Sequence, residues 1–102
     1  MKAAFKMKLK PGSAAEYKKR HAEIWPELAA LLKAEGLSDY TIFLDEETHT
    51  LFAVQQLSGK GSQSLGEREI VKRWWAYMAD IMETNPDHSP VSVPLLQVFH
   101  MD

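Results

Sequence analysis

The chain opens with a regular alternation of apolar and polar positions, which then gives way to the period of a helix. Residues 3–9 place an apolar side chain at every odd position, as in a strand with one buried face. From residue 16 onward the apolar positions recur every three or four residues. One helical face then carries Tyr17, His21, Ile24, Trp25, Leu28, Leu31 and Leu32. This helix is therefore predicted to point a tyrosine and a histidine towards the interior.

Residues that start, interrupt and end helices lie along the same segment. Ser13 and Glu16 have the spacing of a capping box, which predicts the helix start. Gly36 suits the position just after a helix end, where a positive φ is common. Because Pro26 has no N–H group, it predicts either a kink just beyond His21 or the first residue of a second short helix.

The rest of the pattern predicts three more strands and one more helix. Residues 40–44 and 50–57 are rich in β-branched and aromatic side chains and flank a tight turn, which is typical of an antiparallel pair. A polar loop over 58–66, an amphipathic helix over 67–82, a loop over 85–90 and a strand over 95–101 follow. The order β-α-β-β-α-β is that of a ferredoxin-like α+β sandwich.

In such a sandwich both helices cover one face of an antiparallel sheet, and the other face stays bare. The bare side of the first strand is rich in lysine, but Phe43, Leu51, Leu57 and Val98 supply apolar side chains for both faces. A partly apolar, uncovered sheet is often covered by a second copy. We therefore predict a homodimer with its sheets face to face, a dimeric α+β barrel.

Length and composition narrow the class of protein. The 102 residues are predicted to form one domain over residues 1–102. A net charge of −2 argues against a nucleic-acid-binding protein, which needs a basic face. The chain has no cysteine and no apolar stretch of membrane-spanning length, and because its first residues hold no long apolar run we expect no signal peptide. We expect a cytoplasmic protein without a membrane partner.

His21 is the strongest candidate for acid–base chemistry, because an imidazole exchanges protons near neutral pH. The same position also suits a core histidine that is hydrogen-bonded to a carbonyl group. Tyr17, one turn earlier, either binds a substrate hydroxyl or packs. Trp74 and Trp75 diverge by about 100° on their helix, so one is predicted to pack and the other to line a cleft, where an indole suits a sugar.

A polar loop with Asn85, Asp87 and His88 is a weaker candidate for binding hydroxyl groups. The sequence has no metal-ligand spacing, no phosphate loop, no dinucleotide fingerprint and no nucleophile motif. We therefore expect a function that needs neither a metal nor a cofactor.

Several longer runs resemble the L-rhamnose mutarotase family. They are Glu16-Tyr-Lys-Lys-Arg-His21, Ile24-Trp-Pro-Glu-Leu28, Tyr40-Thr-Ile-Phe-Leu-Asp45, Arg73-Trp-Trp75, Met78-Ala-Asp-Ile-Met82, Asn85-Pro-Asp87, Ser89-Pro-Val-Ser92 and Val98-Phe-His-Met-Asp102. Together they extend over nearly all of the chain outside residues 58–69. The resemblance implies a dimeric ferredoxin-like protein that interconverts the α and β anomers of L-rhamnose without a cofactor.

The resemblance also implies roles for single residues. His21 would be the proton donor, and the sugar would be bound by four aromatic residues, Tyr17, Tyr40, Trp74 and Trp75. At His88 the family is expected to have asparagine, so the part played by this loop stays open.

In this scheme His21 protonates the ring oxygen of the sugar and takes the proton back on closure. The base is left open between a water molecule and Asp87. Two other functions also stay open: a sugar-binding or dimerisation module without catalysis, and a cofactor-free oxygenase on the same fold.

Overall fold

A computed structural model describes residues 1–59, 61 and 65–102, and within these ranges the chain forms four strands and three helices. In chain order they are β1 (Lys2–Lys8), α1 (Ala14–Ala22), α2 (Pro26–Ala34), β2 (Leu37–Asp45), β3 (Thr50–Leu57), α3 (Glu69–Met78) and β4 (Ser92–Pro94). The sheet has the order β2-β3-β1-β4, and every neighbouring pair is antiparallel. The predicted ferredoxin-like α+β class is confirmed.

One face of the sheet carries the core. The pairing of β1 with β3 sets Phe5 opposite Ala53 and Met7 opposite Leu51, and all four side chains are buried. The helices complete this core with Tyr17, Leu28, Val71, Trp74 and Met78. The core therefore lies between the helices and this face of the sheet, and Tyr17 of α1 belongs to it.

The other face of the sheet is not covered by any of the three helices described. By alternation along the paired strands it carries Ala4, Lys6, Thr41, Phe43, Phe52, Val54 and Val93, a set called the uncovered face below. Phe43 is 61% exposed and Val93 48% exposed. The uncovered face is thus partly apolar, as the sequence pattern predicts.

The first helical segment is divided in two at the proline. α1 ends at Ala22 and Pro26 is the first residue of α2, which confirms the second-helix alternative. The capping-box prediction is wrong, because Ser13 makes no side-chain capping bond and the Glu16 carboxylate instead accepts a 2.7 Å hydrogen bond from Arg20. Gly36 does follow α2 with a φ of +88°.

The prediction of a last strand over residues 95–101 is wrong. β4 spans Ser92–Pro94, and the Leu95 N–H still donates to the Ala4 carbonyl at 2.9 Å before the pairing ends. Since Pro94 pairs with Phe5 and the strands are antiparallel, residue 97 would lie opposite Lys2. The rest of the segment has no further part of β1 with which to pair.

The second amphipathic helix is shorter than the 67–82 predicted, since α3 spans Glu69–Met78 and an isolated bridge joins Met82 to Leu9. Part of the predicted loop over 58–66, namely residues 60 and 62–64, lies outside the described residues. Among the helices in the described ranges, none is both long and apolar enough to cross a bilayer. The cytoplasmic location stays a prediction.

Candidate active site

A cavity of about 890 Å³ lies between the helices and the core face of the sheet. Its floor is apolar and includes Met7, Leu9 and Leu51. The cavity also collects the predicted polar and aromatic side chains, namely Tyr17, His21, Tyr40, Trp74 and Trp75. Residues from α1, β2 and α3 are therefore brought to one place, and the volume is within the range typical of small-molecule sites.

His21 stands at the cavity wall in the last turn of α1. Its Nδ1 lies 3.1 Å from the Tyr17 carbonyl oxygen. A carbonyl oxygen only accepts hydrogen bonds, so Nδ1 carries the proton and Nε2 keeps its lone pair. Burial lowers the pKa of His21 below its ordinary 6.5, and the bond to the Tyr17 carbonyl offsets this only in part. At neutral pH the imidazole is uncharged.

Two aromatic rings hold the His21 ring in place. Tyr17 stacks on it, with ring centroids 4.3 Å apart and planes inclined by 28°. Trp74 meets it edge-on, with centroids 5.4 Å apart and planes inclined by 88°. These contacts and the Nδ1 hydrogen bond restrict the rotation of the ring.

Tyr17 and Tyr40 form a pair of phenols in the cavity. Burial raises the pKa of Tyr17, and the nearby Tyr40 raises it further. Tyr17 therefore stays protonated and keeps an O–H donor. Tyr40 comes from β2, next to the point where the pairing register with β3 shifts between Ser38 and Thr41.

The tryptophan pair divides as the helical geometry predicts. Trp74 is 8% exposed and belongs to the core, whereas Trp75 is half-buried, although both line the cavity. A Cβ atom on Gly66 would come within 2.8 Å of the Trp75 ring, so the ring packs directly against this glycine backbone. Trp75 is thus the more accessible of the two indoles.

A second group of side chains, which the sequence analysis did not assign to the site, packs around Trp74 at the cavity wall. Trp25 meets Trp74 edge-on with centroids 5.1 Å apart, and Tyr77 lies close to both rings. Arg20, next to His21 in the chain, stacks over Tyr77 at 4.5 Å and donates to the Tyr77 carbonyl and to Asp80. The arginine links α1 to the end of α3, a contact that periodicity alone does not reveal.

Four charged residues at the cavity were also missed: Lys18, Lys33, Asp39 and Glu46. Asp39 has a φ of +46°, within the left-handed region that aspartate tolerates better than most residues. It lies in the irregular part of β2, which no local sequence signal marked. The charges of the two lysines and the two carboxylates sum to zero, and His21 itself is uncharged at neutral pH.

The loop over residues 85–90 lies outside this cavity except for Pro90. Asn85 and Asp87 line a smaller hollow of about 370 Å³, and Trp75 is shared between the two spaces. The Ser89 hydroxyl and N–H bond to the Asp87 carboxylate and lower its pKa. His88 lines neither space and has a φ of +72°. Apart from Pro90, which lines both spaces, this loop therefore contributes no lining to the cavity that contains His21.

Across the described residues, no three histidine, aspartate or glutamate side chains cluster as metal ligands would. The expectation that the function needs no metal or cofactor stays a prediction.

This chain is similar to a known protein family and to proteins that bear its name. The family model described as L-rhamnose mutarotase matches residues 2–101. A Bacteroides thetaiotaomicron protein named L-rhamnose mutarotase is 67% identical over 97% of this chain and 96% of its own length. A Formosa agariphila protein of that name is 61% identical over 97% of this chain and 96% of its own length.

A solved structure agrees with these relatives. The crystal structure of an L-rhamnose mutarotase from Formosa agariphila matches with a TM-score of 0.91 and 55% identity. The match covers 100% of this chain and 99% of that one. From sequence and structure alike, this chain belongs to the L-rhamnose mutarotase family.

Proposed function

We propose that this chain catalyses the interconversion of the α and β anomers of L-rhamnose, as an L-rhamnose 1-epimerase. The placement of His21 carries the proposal. Within the described chain its Nε2 makes no hydrogen bond, and it shares a cavity with two phenols and two indoles. The balanced charges around the cavity suit an uncharged sugar, and relatives that match nearly the whole chain bear the name of this activity.

The reaction moves one proton between two oxygen atoms that share a carbon. Ring opening breaks the bond from C1 to the ring oxygen, turns the C1 hydroxyl into a carbonyl and leaves a proton on the former ring oxygen. In our proposal the neutral Nε2 of His21 takes the proton from the C1 hydroxyl and delivers it to the ring oxygen. His21 then serves as the base and also as the predicted proton donor.

Closure is the same transfer in reverse. Rotation about the C1–C2 bond turns the other face of the carbonyl towards the C5 hydroxyl. Nε2 takes the proton from that hydroxyl as the C1–oxygen bond forms, and returns it to the new C1 hydroxyl. The imidazole is neutral again at the end of each cycle, so no outside acid or base is consumed.

The aromatic residues would hold the sugar for these transfers. Because Tyr17 stays protonated, its hydroxyl donates a hydrogen bond to a sugar oxygen, and Tyr40 orients a second hydroxyl. Trp74 keeps the His21 ring in place, and Trp75 stacks on the C–H face of the sugar. Asn85 and Asp87, which line the smaller hollow together with Trp75, stay candidates for binding a hydroxyl group, as does His88.

We further propose that the chain forms one domain and works as a homodimer in the cytoplasm. The uncovered face supports the dimer, because Phe43 and Val93 are exposed beside the half-buried Phe52 and Val54. A second sheet packed on this face would remove these side chains from water. A monomer at micromolar concentration in multi-angle light scattering would contradict the dimer.

The activity is tested by NMR saturation transfer between the α and β anomeric protons of L-rhamnose, with catalytic amounts of protein. The exchange rate without protein is subtracted, because the sugar also mutarotates unaided. We expect faster exchange that is lost in His21→Ala while that variant stays folded by circular dichroism. Wild-type exchange in folded His21→Ala would show that another group moves the proton.

Failure of the wild-type protein itself would be equally informative. No acceleration, together with saturable rhamnose binding by calorimetry, would support a binding module. Oxygen consumption with an electron-rich aromatic compound, in place of sugar exchange, would support an oxygenase.

A further inference from the structure

Arg20 is the neighbour of His21 in α1, but its side chain does not line the cavity. The side chain is nevertheless only 11% exposed, although charged side chains are rarely buried unless they are paired. A buried guanidinium group needs acceptors for its N–H donors, and the positions of these acceptors show which parts of the fold the side chain connects.

Most of these acceptors lie at the C-terminal end of α3. Nη1 donates to the Tyr77 carbonyl oxygen and to one oxygen of the Asp80 carboxylate, both at 2.8 Å. Nη2 donates to the other Asp80 oxygen at 3.2 Å, so this ion pair is bidentate. The Tyr77 carbonyl lies in the last turn of α3, and the Ile81 N–H, four residues on, donates to Met78 instead. Arg20 therefore completes the hydrogen bonding at this helix end.

The remaining contacts fix the guanidinium group between the two helices. Nε donates to the Glu16 carboxylate at 2.7 Å, one turn earlier in α1. Cζ lies 4.5 Å from the centre of the Tyr77 ring, at the distance of a cation–π contact. Among the described residues, every hydrogen bond between α1 and residues 69–80 comes from this one side chain. Arg20 is thus the polar link between the two helices.

The same two helices hold the His21 ring. Tyr17 of α1 stacks on it and Trp74 of α3 meets it edge-on, with ring centroids 4.3 Å and 5.4 Å from that of His21. Tyr77, over which Arg20 stacks, lies 5.7 Å from Trp74 between ring centroids. A movement of α3 relative to α1 would therefore displace Trp74 and change the direction in which Nε2 of His21 points.

We propose that Arg20 is a positioning residue for the proton transfer, because it fastens α3 to α1 and so keeps Trp74 against the His21 ring. The inference rests on the proposed function and adds a residue that acts on the reaction without touching the sugar. Lysine would keep the positive charge, but it lacks the planar fork that reaches two carboxylate oxygens and a carbonyl oxygen together.

Arg20→Lys tests this role, with Arg68→Lys as the matched control. Arg68 precedes α3 and pairs with Glu35 at 2.6 Å, and neither residue lines the cavity. Saturation transfer measures kcat and KM for L-rhamnose in variants shown by circular dichroism to be folded. A displaced reacting group can cost about 100-fold, so kcat of Arg20→Lys should fall by about 10- to 100-fold. KM should change little, because Tyr40 binds the sugar from β2, and Arg68→Lys should keep both wild-type values.

Arg20→Ala allows the link to be restored from solution. Guanidinium chloride at about 50 mM, far below the molar concentrations that unfold proteins, should recover part of the lost kcat. Sodium chloride at the same ionic strength should not. His21→Gln should gain nothing from guanidinium, because the ion replaces the missing fork of Arg20 and not an imidazole. A purely structural loss would not respond to the ion in this selective way.

Wild-type kcat in folded Arg20→Lys would overturn the positioning role and leave the proposed function intact. A rise in KM at unchanged kcat, an equal loss in Arg68→Lys, or equal recovery with sodium chloride would overturn it as well. Should Arg20→Ala fail to fold, the kcat of Arg20→Lys decides. No acceleration by the wild-type protein would instead refute the proposed function, and this inference with it.

Discussion

Replacing His21 with glutamine tests whether Nε2 of His21 moves the proton, as the proposed scheme requires. Glutamine retains a polar side chain of similar length but has no group that titrates near neutral pH. Because both transfers are assigned to Nε2, the variant should lose the whole acid–base contribution, about 10²–10⁴-fold in kcat. At 1.36 kcal/mol for each factor of ten, this is about 3–5 kcal/mol of barrier. Residual acceleration would come from the tyrosines and tryptophans that orient the sugar.

The scheme also predicts how kcat/KM changes with pH. Burial lowers the pKa of His21 below its ordinary value, and the scheme starts from the neutral imidazole, so kcat/KM should reach its plateau at neutral pH and stay constant above it. Below the lowered pKa it should fall about tenfold per pH unit as the imidazolium accumulates. Saturation-transfer NMR measures the profile after the exchange without protein is subtracted at each pH. His49→Gln, a substitution in the β2–β3 turn, is the matched control and should retain the wild-type profile.

Two results would refute the reasoning. A value of kcat/KM that rises as the pH falls would mean that the imidazolium, not the imidazole, is the active form. A folded His21→Gln that keeps more than a tenth of wild-type kcat would remove His21 from the chemistry. If glutamine prevents folding, His21→Phe retains the ring contacts to Tyr17 and Trp74 and should show the same loss.

The lowered pKa also couples the stability of the fold to pH. The unfolded chain binds a proton at His21 near pH 6.5, whereas the folded chain does so only at lower pH. The free energy of unfolding should therefore fall as the pH drops from about 6.5 towards the folded-state pKa. Urea titrations at pH 7.5 and 5.0 should show this decrease in the wild type and a smaller one in His21→Gln. Equal decreases in both proteins would contradict the coupling.

Three further substitutions test the cavity and the core. Tyr17→Phe keeps the ring that stacks on His21 but removes the hydroxyl, so kcat/KM should fall about tenfold, the cost of roughly one hydrogen bond, while the melting temperature changes little; unchanged kinetics would mean that Tyr17 only packs. Gly66→Ala puts a methyl group within 2.8 Å of the Trp75 ring, so tryptophan fluorescence should shift and KM should rise more than kcat falls. An unchanged KM would show that Trp75 does not contact the sugar. Leu51 is 1% exposed, so Leu51→Ala should lower the free energy of unfolding by about 2–5 kcal/mol in urea titrations. Leu51→Met keeps the volume and should lower it by less than about 1.5 kcal/mol. Similar losses in both variants would contradict a tightly packed site.

Local periodicity was enough to predict much of the site. The spacing of Tyr17 and His21 placed both on the inner face of one helix, and both line the cavity. The divergence of Trp74 and Trp75 also followed from 100° per residue, with one ring buried and the other half-buried. Tyr40 entered only through the family resemblance, because nothing in the alternation of β2 marks the irregular register beside it.

Where the prediction was wrong, a distant contact decided the outcome. Glu16 was expected to cap its own helix, but its carboxylate pairs with Arg20, which reaches across to Asp80 and the Tyr77 carbonyl. Residues 95–101 have the composition of a strand, yet strand pairing needs a neighbour, and the antiparallel register with β1 runs out after about three residues. A segment's composition carries no information about where its neighbouring strand ends.

The sequence by itself determined the order of the elements, the inner faces of the helices and the choice of His21 as the candidate for acid–base chemistry. Each depends on side chains a few positions apart, so the period of a helix or strand encodes it. Only the tertiary structure decided that His21 is neutral with Nε2 free, that Asp87 does not line the cavity that contains His21, and that residues 96–102 form no strand. Burial, tautomer and strand pairing depend on groups far apart in the chain, and these become neighbours only when the sheet and helices assemble.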